Sequence, residues 1–293
     1  MTHRWRSLLF VPGDSDRKID KAQDSNADVL IYDLEDAVQP AARPAARMRV
    51  ADAVSAAKDR LVQCVRINPL DSADAKDDLA AVMGASPDYI MLPKVRGAND
   101  IDELADMLDT LEAAHRIAPQ TTQIIALVTE TPQMTLNLPT VTTLNSRVAA
   151  LTWGGEDLMA ALQANRNKTV DGRWTATFEL ARTLCLLAAR ACGVRAIDTL
   201  YSDFRDHDGL VQHANTALAD GFDGVMAIHP AQLDGIHSAF TPDADTIAHA
   251  QAVVEAFAAN PHVGALQLDG RMLDRPHLLQ AQRVLANADV KSN

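Results

Sequence analysis

Short apolar runs alternate with amphipathic helical stretches along most of this chain. The runs are SLLFVPG (7–13), DVLIYDLE (28–35), CVRIN (64–68), YIMLPK (89–94), QIIALVTE (123–130), VAALTWG (148–154), VRAIDTL (194–200) and GVMAIHP (224–230). Each is nearly continuous in its hydrophobicity, as parallel strands covered on both faces are. Helical periodicity fills the intervals, for example in DIDELADMLDTLEAAHRIA and in FELARTLCLLAARACG, which ends at Gly193 as a C-capping residue. Eight strand–helix units predict an α/β fold, a (β/α)8 TIM barrel, with its functional rim at the C-terminal strand ends. The pattern changes near residue 240. DADTIAHAQAVVEAFAAN reads as a helix, GALQLDGRMLDRP follows, and a last helix ends the chain. The expected division is a barrel domain over 1–240 and a helical C-terminal extension over 241–293, packed on the barrel or on a neighbouring subunit.

The strand ends carry the chemistry. Asp33, Glu35, Asp36, Arg66, Asn68, Lys94, Glu130, Glu156, Asp157, Asp198 and His229 are all expected on one rim. Glu130 closes QIIALVTE and Asp157 follows VAALTWG, an odd place for charge unless something uses it. Two carboxylates there make a hard-oxygen site suited to Mg²⁺, or else two helix caps or first-turn carboxylates favoured by the helix dipole. Glu156 and Asp157 leave the strand in different directions; Asp157 is taken as the ligand, with Glu156 behind it. Arg66 sits on an apolar strand and needs a partner: a substrate carboxylate held by the guanidinium fork, the carboxylates at 33–36, or both. Glu35 and Asp36 are read as orienting Arg66 or holding metal-bound water. Lys94 contacts substrate or balances the acidic rim. Arg17, Arg43 and Arg47 either meet the phosphates of a large cofactor or form a solvated helix face. His229, before a proline, reads more readily as a turn residue than as a base, and patterning gives Asp274 only a helix-capping role.

Composition narrows the partners. The 293 residues carry a net charge of −12, which argues against nucleic acid or an anionic membrane as the main partner. Aromatics are only 4% against 47% hydrophobic residues overall, which favours Ala-rich helices over an all-β core. The three cysteines, Cys64, Cys185 and Cys192, form no CxxC pair and read as reduced thiols. There is no signal-like N-terminal stretch and no run near the ~18 apolar residues of a membrane span, so a cytoplasmic protein is expected.

The runs RSLLFVPG, YDLEDAV, RINP, LPKV, ETP, WGGEDL, AIDT, FRDHDGL, GFDGVMAIHPAQ and GRMLDRPH, in this order from residue 6 to about 283, resemble the citrate lyase β-subunit-like family. That group, within the HpcH/HpaI aldolase superfamily, includes the Mg²⁺-dependent malyl-CoA and citramalyl-CoA lyases. The resemblance implies a lyase that cleaves a 3-hydroxyacyl-CoA thioester to acetyl-CoA and a 2-oxo acid. It implies Mg²⁺ on Glu130 and Asp157, and substrate on Arg66, Lys94, Gly155 and Glu156. Coenzyme A is expected near Arg17, Arg43 and His229. A homotrimer is implied, in which Asp274 reaches a neighbouring site as proton donor or acceptor. The alternatives are a citrate lyase β subunit serving an acyl-carrier protein, and a thioesterase or malate-synthase-like enzyme. Two departures stand out: the family often has Gly-Ala-Glu-Asp-Leu where this chain has a second glycine, Gly155, and Arg43 stands where Lys is common.

Overall fold

The computed structural model describes residues 4–289. Eight parallel strands close into a barrel in sequence order, β1 pairing with β8. They are β1 (Ser7–Pro12), β2 (Val29–Asp33), β3 (Gln63–Arg66), β4 (Tyr89–Leu92), β5 (Gln123–Leu127), β6 (Val148–Thr152), β7 (Arg195–Asp198) and β8 (Gly224–Ala227). Between them run α1 (Asp16–Gln23), α2 (Arg43–Ala56), α3 (Asp74–Val82), α4 (Ala98–His115), α5 (Pro132–Asn137), α6 (Gly155–Ala161), α7 (Ala176–Ala191) and α8 (His207–Asp220), and α9 (Leu233–Phe240) follows β8. All eight predicted strands are present. Each stops short of the apolar run that predicted it, because its last residues leave the ladder to become rim loops.

Side-chain alternation explains where the core and the rim lie. One buried cluster takes Leu8, Ile31, Cys64, Met91, Ile125, Ala150, Ile197 and Met226, one residue from each strand, and so fills the barrel interior. The intervening residues, such as Leu9, Leu30, Val65, Ile90 and Leu151, are equally buried and face the other way. Two steps beyond Ile31 and Cys64, on the same interior face, come Asp33 and Arg66. They are register partners and both are buried. The apolar interior thus ends in an ion pair, and the polar rim begins there.

The chain divides into two compact units, Trp5–Ile236 and the stretch from His237 onward. In the second, α10 (Ala244–Ala259) and α11 (Arg275–Asp289) pack through Ala250, Val253 and Ala281, together with Leu273. The sequence predicted only helices here. The structure adds an antiparallel hairpin, β9 (Ala265–Leu268) with β10 (Arg271–Asp274). Its two-residue turn holds Asp269 at φ 51° and Gly270 at φ 78°, the left-handed pair that tight hairpins require. Among the described residues no helix is long and apolar enough to cross a membrane. All three cysteines are free; Cys64 and Cys185 are buried and Cys192 half-buried.

Candidate active site

Arg66 organises one side of the rim. Its Nε donates to Asp33 Oδ1 at 2.8 Å and its Nη2 to Asp33 Oδ2 at 2.7 Å, a two-pronged contact that fixes the plane of the guanidinium. Asp33 in turn accepts the backbone N–H groups of Glu35 (2.9 Å) and Ala37 (3.2 Å), which shapes the LEDAV turn. Arg66 Nη1 lies 2.9 Å from Glu35 Oε2 but out of line for a hydrogen bond, so that buried carboxylate oxygen is left short of a donor. Burial opposes the charge on Arg66, yet the carboxylates of Asp33, Glu35 and Glu130 hold its pKa above the ordinary value. Of the two partners considered for Arg66, the 33–36 carboxylates are in place, Asp33 on the Nε–Nη2 edge and Glu35 beside Nη1.

Lys94 links the remaining carboxylates. Its backbone, at φ 52°, adopts the left-handed conformation that costs a non-glycine residue about 1–2 kcal/mol. In this arrangement its N–H donates to Glu130 Oε2 at 2.6 Å. Its ammonium bonds Glu35 and stands 3.3 Å from Asp36 Oδ1 and 3.5 Å from Asp157 Oδ1. Burial alone works against that charge, but the Glu35 hydrogen bond and the surrounding carboxylates raise the pKa. Glu130 is 4% exposed. Burial, and then the Asp157 carboxylate, raise its pKa well above the usual carboxylate range. Burial likewise raises Glu35, with Arg66 and Lys94 pulling the other way.

The capping alternative for Glu130 and Asp157 splits. The N-cap of α5 is Thr131, whose hydroxyl accepts from Met134 N–H, so Glu130 is free of that role. Asp157 does lie in the first turn of α6, beside Glu156. Glu156 points elsewhere and accepts from Asn167 Nδ2 at 2.9 Å. Glycines make room for this arrangement. A Cβ on Gly154 would come within 2.8 Å of Glu130 Cγ and 2.9 Å of its Oε1. One on Gly155 would press on Trp174 and Trp153 at 3.3–3.4 Å, so the methyl of the more usual alanine is replaced here by indole.

The residues expected at the cofactor are spread more widely. Arg43 is ion-paired to Asp74, and Arg47 bonds Asp74 and the buried Asp78 (2.7 Å), tying α2 to α3. Arg17 is exposed on α1. His229 caps the short turn Pro230–Gln232: its Nδ1 accepts Ala231 N–H while Gln232 returns a bond to its backbone, and its ring stacks on Phe204 at 4.7 Å. Asn68 and Asp198 are structural. Asn68 bonds Leu34 O and Asp78, and Asp198 accepts from Trp153 Nε1 and Arg182. Asp274 ends β10 with Oδ1 2.6 Å from His277 Nδ1. One feature of the site had no usable sequence signal: Asp33 was one rim carboxylate among several until register set it against Arg66.

A parallel barrel with an excess of carboxylates and an anchored arginine at its C-terminal rim defines a class of enzyme-like sites built for a cation and an anionic substrate. The HpcH/HpaI aldolase/citrate lyase model matches residues 6–230. The chain is 33% identical to the mitochondrial citramalyl-CoA lyase of Rattus norvegicus, over 97% of this chain and 86% of that protein. It is 31% identical to a (3S)-malyl-CoA thioesterase of Cereibacter sphaeroides, over 98% and 95%. Among solved structures, CitE of Mycobacterium tuberculosis in complex with magnesium, acetoacetate and coenzyme A superposes with a TM-score of 0.79 at 31% identity, covering 97% of this chain and 98% of that one. The chain belongs to the HpcH/HpaI aldolase/citrate lyase family.

Proposed function

We propose that the chain is a Mg²⁺-dependent carbon–carbon lyase that cleaves a 3-hydroxyacyl-CoA thioester of the malyl, citramalyl or citryl type to acetyl-CoA and a 2-oxo acid. The observation that carries this reading is the charge balance of the rim. Five carboxylates (Asp33, Glu35, Asp36, Glu130 and Asp157) face two cations, Arg66 and Lys94. An anionic thioester enters such a rim only with further positive charge. The donor set fits Mg²⁺: Glu130 and Asp157 would hold it through hard carboxylate oxygens. Bound there, Mg²⁺ polarises the hydroxyl and carboxylate oxygens of the substrate head and lowers the hydroxyl pKa. Arg66, its plane fixed by Asp33, presents its Nη1 edge to the substrate carboxylate. Lys94 flanks the head group and Arg17 is left exposed for the phosphates of coenzyme A, since Glu156 is turned to Asn167, the space beside Gly155 is filled by Trp174 and Trp153, Arg43 is paired with Asp74 and His229 caps the Pro230–Gln232 turn. Asp274 takes the proton that the hydroxyl loses as the C–C bond breaks and returns it to the enolate carbon of the leaving fragment, giving the acetyl thioester.

The supporting relatives include both a lyase and a thioesterase. Malyl-, citramalyl- and citryl-CoA incubated with Mg²⁺ therefore form the direct test. Equal release of acetyl-CoA and a 2-oxo acid is expected, and release of free thiol with no oxo acid would instead make the chain a thioesterase. We further read the working form as a cytoplasmic homotrimer, with a 1–240 barrel and a 241–293 extension serving a neighbouring subunit. A requirement for acyl-carrier protein in place of free CoA would move it to a citrate lyase complex.

Two variants probe the rim. Arg66→Lys keeps the charge but not the fork. Its kcat/KM is expected to fall by about 2–4 kcal/mol of transition-state binding; wild-type kinetics would remove Arg66 from the substrate. Gly154→Ala forces a methyl against Glu130. Overpacking of this kind costs about 1–3 kcal/mol, so calorimetric Mg²⁺ affinity is expected to drop roughly tenfold while the barrel still folds.

A further inference from the structure

The turn of α6 that carries Asp157 has little internal support. The helix has seven residues, too few to be stable without neighbours. Its N-cap, Gly154, offers no side-chain hydrogen bond, and the bond from Leu158 N–H to Gly154 O is long, at 3.4 Å. Gly154 and Gly155 in succession leave the backbone free to shift. The Asp157 side chain is 31% exposed, and its charged contact is Lys94 at 3.5 Å. Mg²⁺ nevertheless demands near-ideal octahedral geometry at about 2.0–2.1 Å. A ligand on so loose a turn needs support from outside its own helix.

The segment between α6 and α7 supplies that support. Here the chain doubles back on itself as a strap. Thr169 N–H donates to Arg173 O at 2.7 Å, Thr175 N–H donates to Asn167 O at 2.9 Å, and Lys168 faces Trp174 in an antiparallel bridge. Gly172, at φ 80°, makes the return. The Lys168 ammonium lies 4.5 Å from the Trp174 ring centroid and 4.9 Å from that of Tyr201, which holds the indole from one face. Trp174 meets Trp153 edge-on at 4.9 Å. Trp153 is anchored in turn: it is fully buried, its Nε1 donates to Asp198 Oδ1 at 2.6 Å, and Arg182 closes on the same carboxylate. The strap reaches α6 at Gly155, where the two indoles fill the space a Cβ would take, and at Glu156, which accepts from Asn167 Nδ2. These are the two residues before Asp157. The first turn of α6 is thus packed against Glu130 at Gly154 and against the indoles at Gly155.

We propose that the 165–175 strap, through Trp174 and Asn167, positions Asp157 as a metal ligand and so sets the geometry of the cation site from outside it. This rests on the reading of Glu130 and Asp157 as Mg²⁺ ligands and adds the residues that hold one of them in place. The test is calorimetric binding of Mg²⁺ and of Ca²⁺ to the wild-type protein and to Trp174→Ala, Trp174→Phe and Asn167→Ala, with thermal unfolding of each. Ca²⁺ tolerates irregular oxygen geometry and longer bonds, and Mg²⁺ does not. A displaced ligand therefore costs Mg²⁺ more, whereas a general loosening of the fold costs both ions alike. Trp174→Ala is expected to lose Mg²⁺ affinity about 10- to 100-fold, the range for residues that orient metal ligands, and to lose much less Ca²⁺ affinity. Trp174→Phe keeps a ring against Gly155 and is expected to stay near wild type for both ions. Asn167→Ala leaves the indoles in place and is expected to lower the Mg²⁺-to-Ca²⁺ affinity ratio about threefold, the worth of one hydrogen bond; it decides the matter if Trp174→Ala does not fold. Equal losses for the two ions, or wild-type binding of both by the folded variants, would overturn the proposal and leave the metal assignment standing. If the wild type binds no Mg²⁺, both fall.

Discussion

Asp157→Ala is expected to lose ~1,000-fold or more in kcat/KM while the protein remains folded, because a bound divalent cation supplies several kcal/mol of charge stabilisation in the transition state. The side chain is 31% exposed and touches Lys94 at 3.5 Å, so its removal costs the fold at most about 1 kcal/mol. Thermal unfolding should barely move, and calorimetry should show Mg²⁺ binding gone. Glu130→Gln tests the partner differently. Glu130 is buried with its pKa raised, so the apo protein already disfavours its charge. The amide preserves an acceptor for Lys94 N–H and removes the burden of a buried carboxylate. The variant is expected to be at least as stable as wild type without metal and unable to bind it. Should Asp157→Ala bind Mg²⁺ with wild-type affinity, the ligand assignment fails.

The barrel was legible because burial on both faces makes a parallel strand an unbroken apolar run, and eight such runs admit few other closures. Runs such as QIIALVTE also located the rim, since a carboxylate at the end of an apolar run marks the point where the chain leaves the sheet. The pairing of charges was not legible. Arg43 and Arg47 look as available to phosphates as Arg17 does, and only the packing of α2 on α3 commits them to Asp74 and Asp78. Arg66 was correctly expected to need a carboxylate, but its choice of Asp33 depends on the register between β2 and β3, a long-range property. The hairpin at 265–274 was missed for another reason. Its strands have four residues each and are largely exposed, so hydrophobic alternation is weak, although the Asp269-Gly270 pair was a turn signal in plain view.

That hairpin carries the last candidate. Asp274→Asn is expected to retain Mg²⁺ and 2-oxo acid binding and to lose about 100- to 10,000-fold in lyase turnover, the range of a positioned general acid or base. The amide is nearly isosteric but cannot transfer a proton. In the structure the Asp274 carboxylate stands 2.6 Å from His277 Nδ1 at the start of α11, and the pair is open to solvent. An acid carried on an extension can be delivered to another subunit, and its arrival over the rim would exclude water from the enolate. Mixing Asp274→Asn with Asp157→Ala subunits separates this arrangement from one within a single chain. Each variant alone is inactive. In a mixed oligomer with cross-subunit delivery, some sites combine an intact Glu130–Asp157 pair from one chain with an intact Asp274 from another, and part of the activity returns. With delivery in the same chain, every site lacks either its metal ligand or its acid, and mixed oligomers confirmed by native mass spectrometry remain silent.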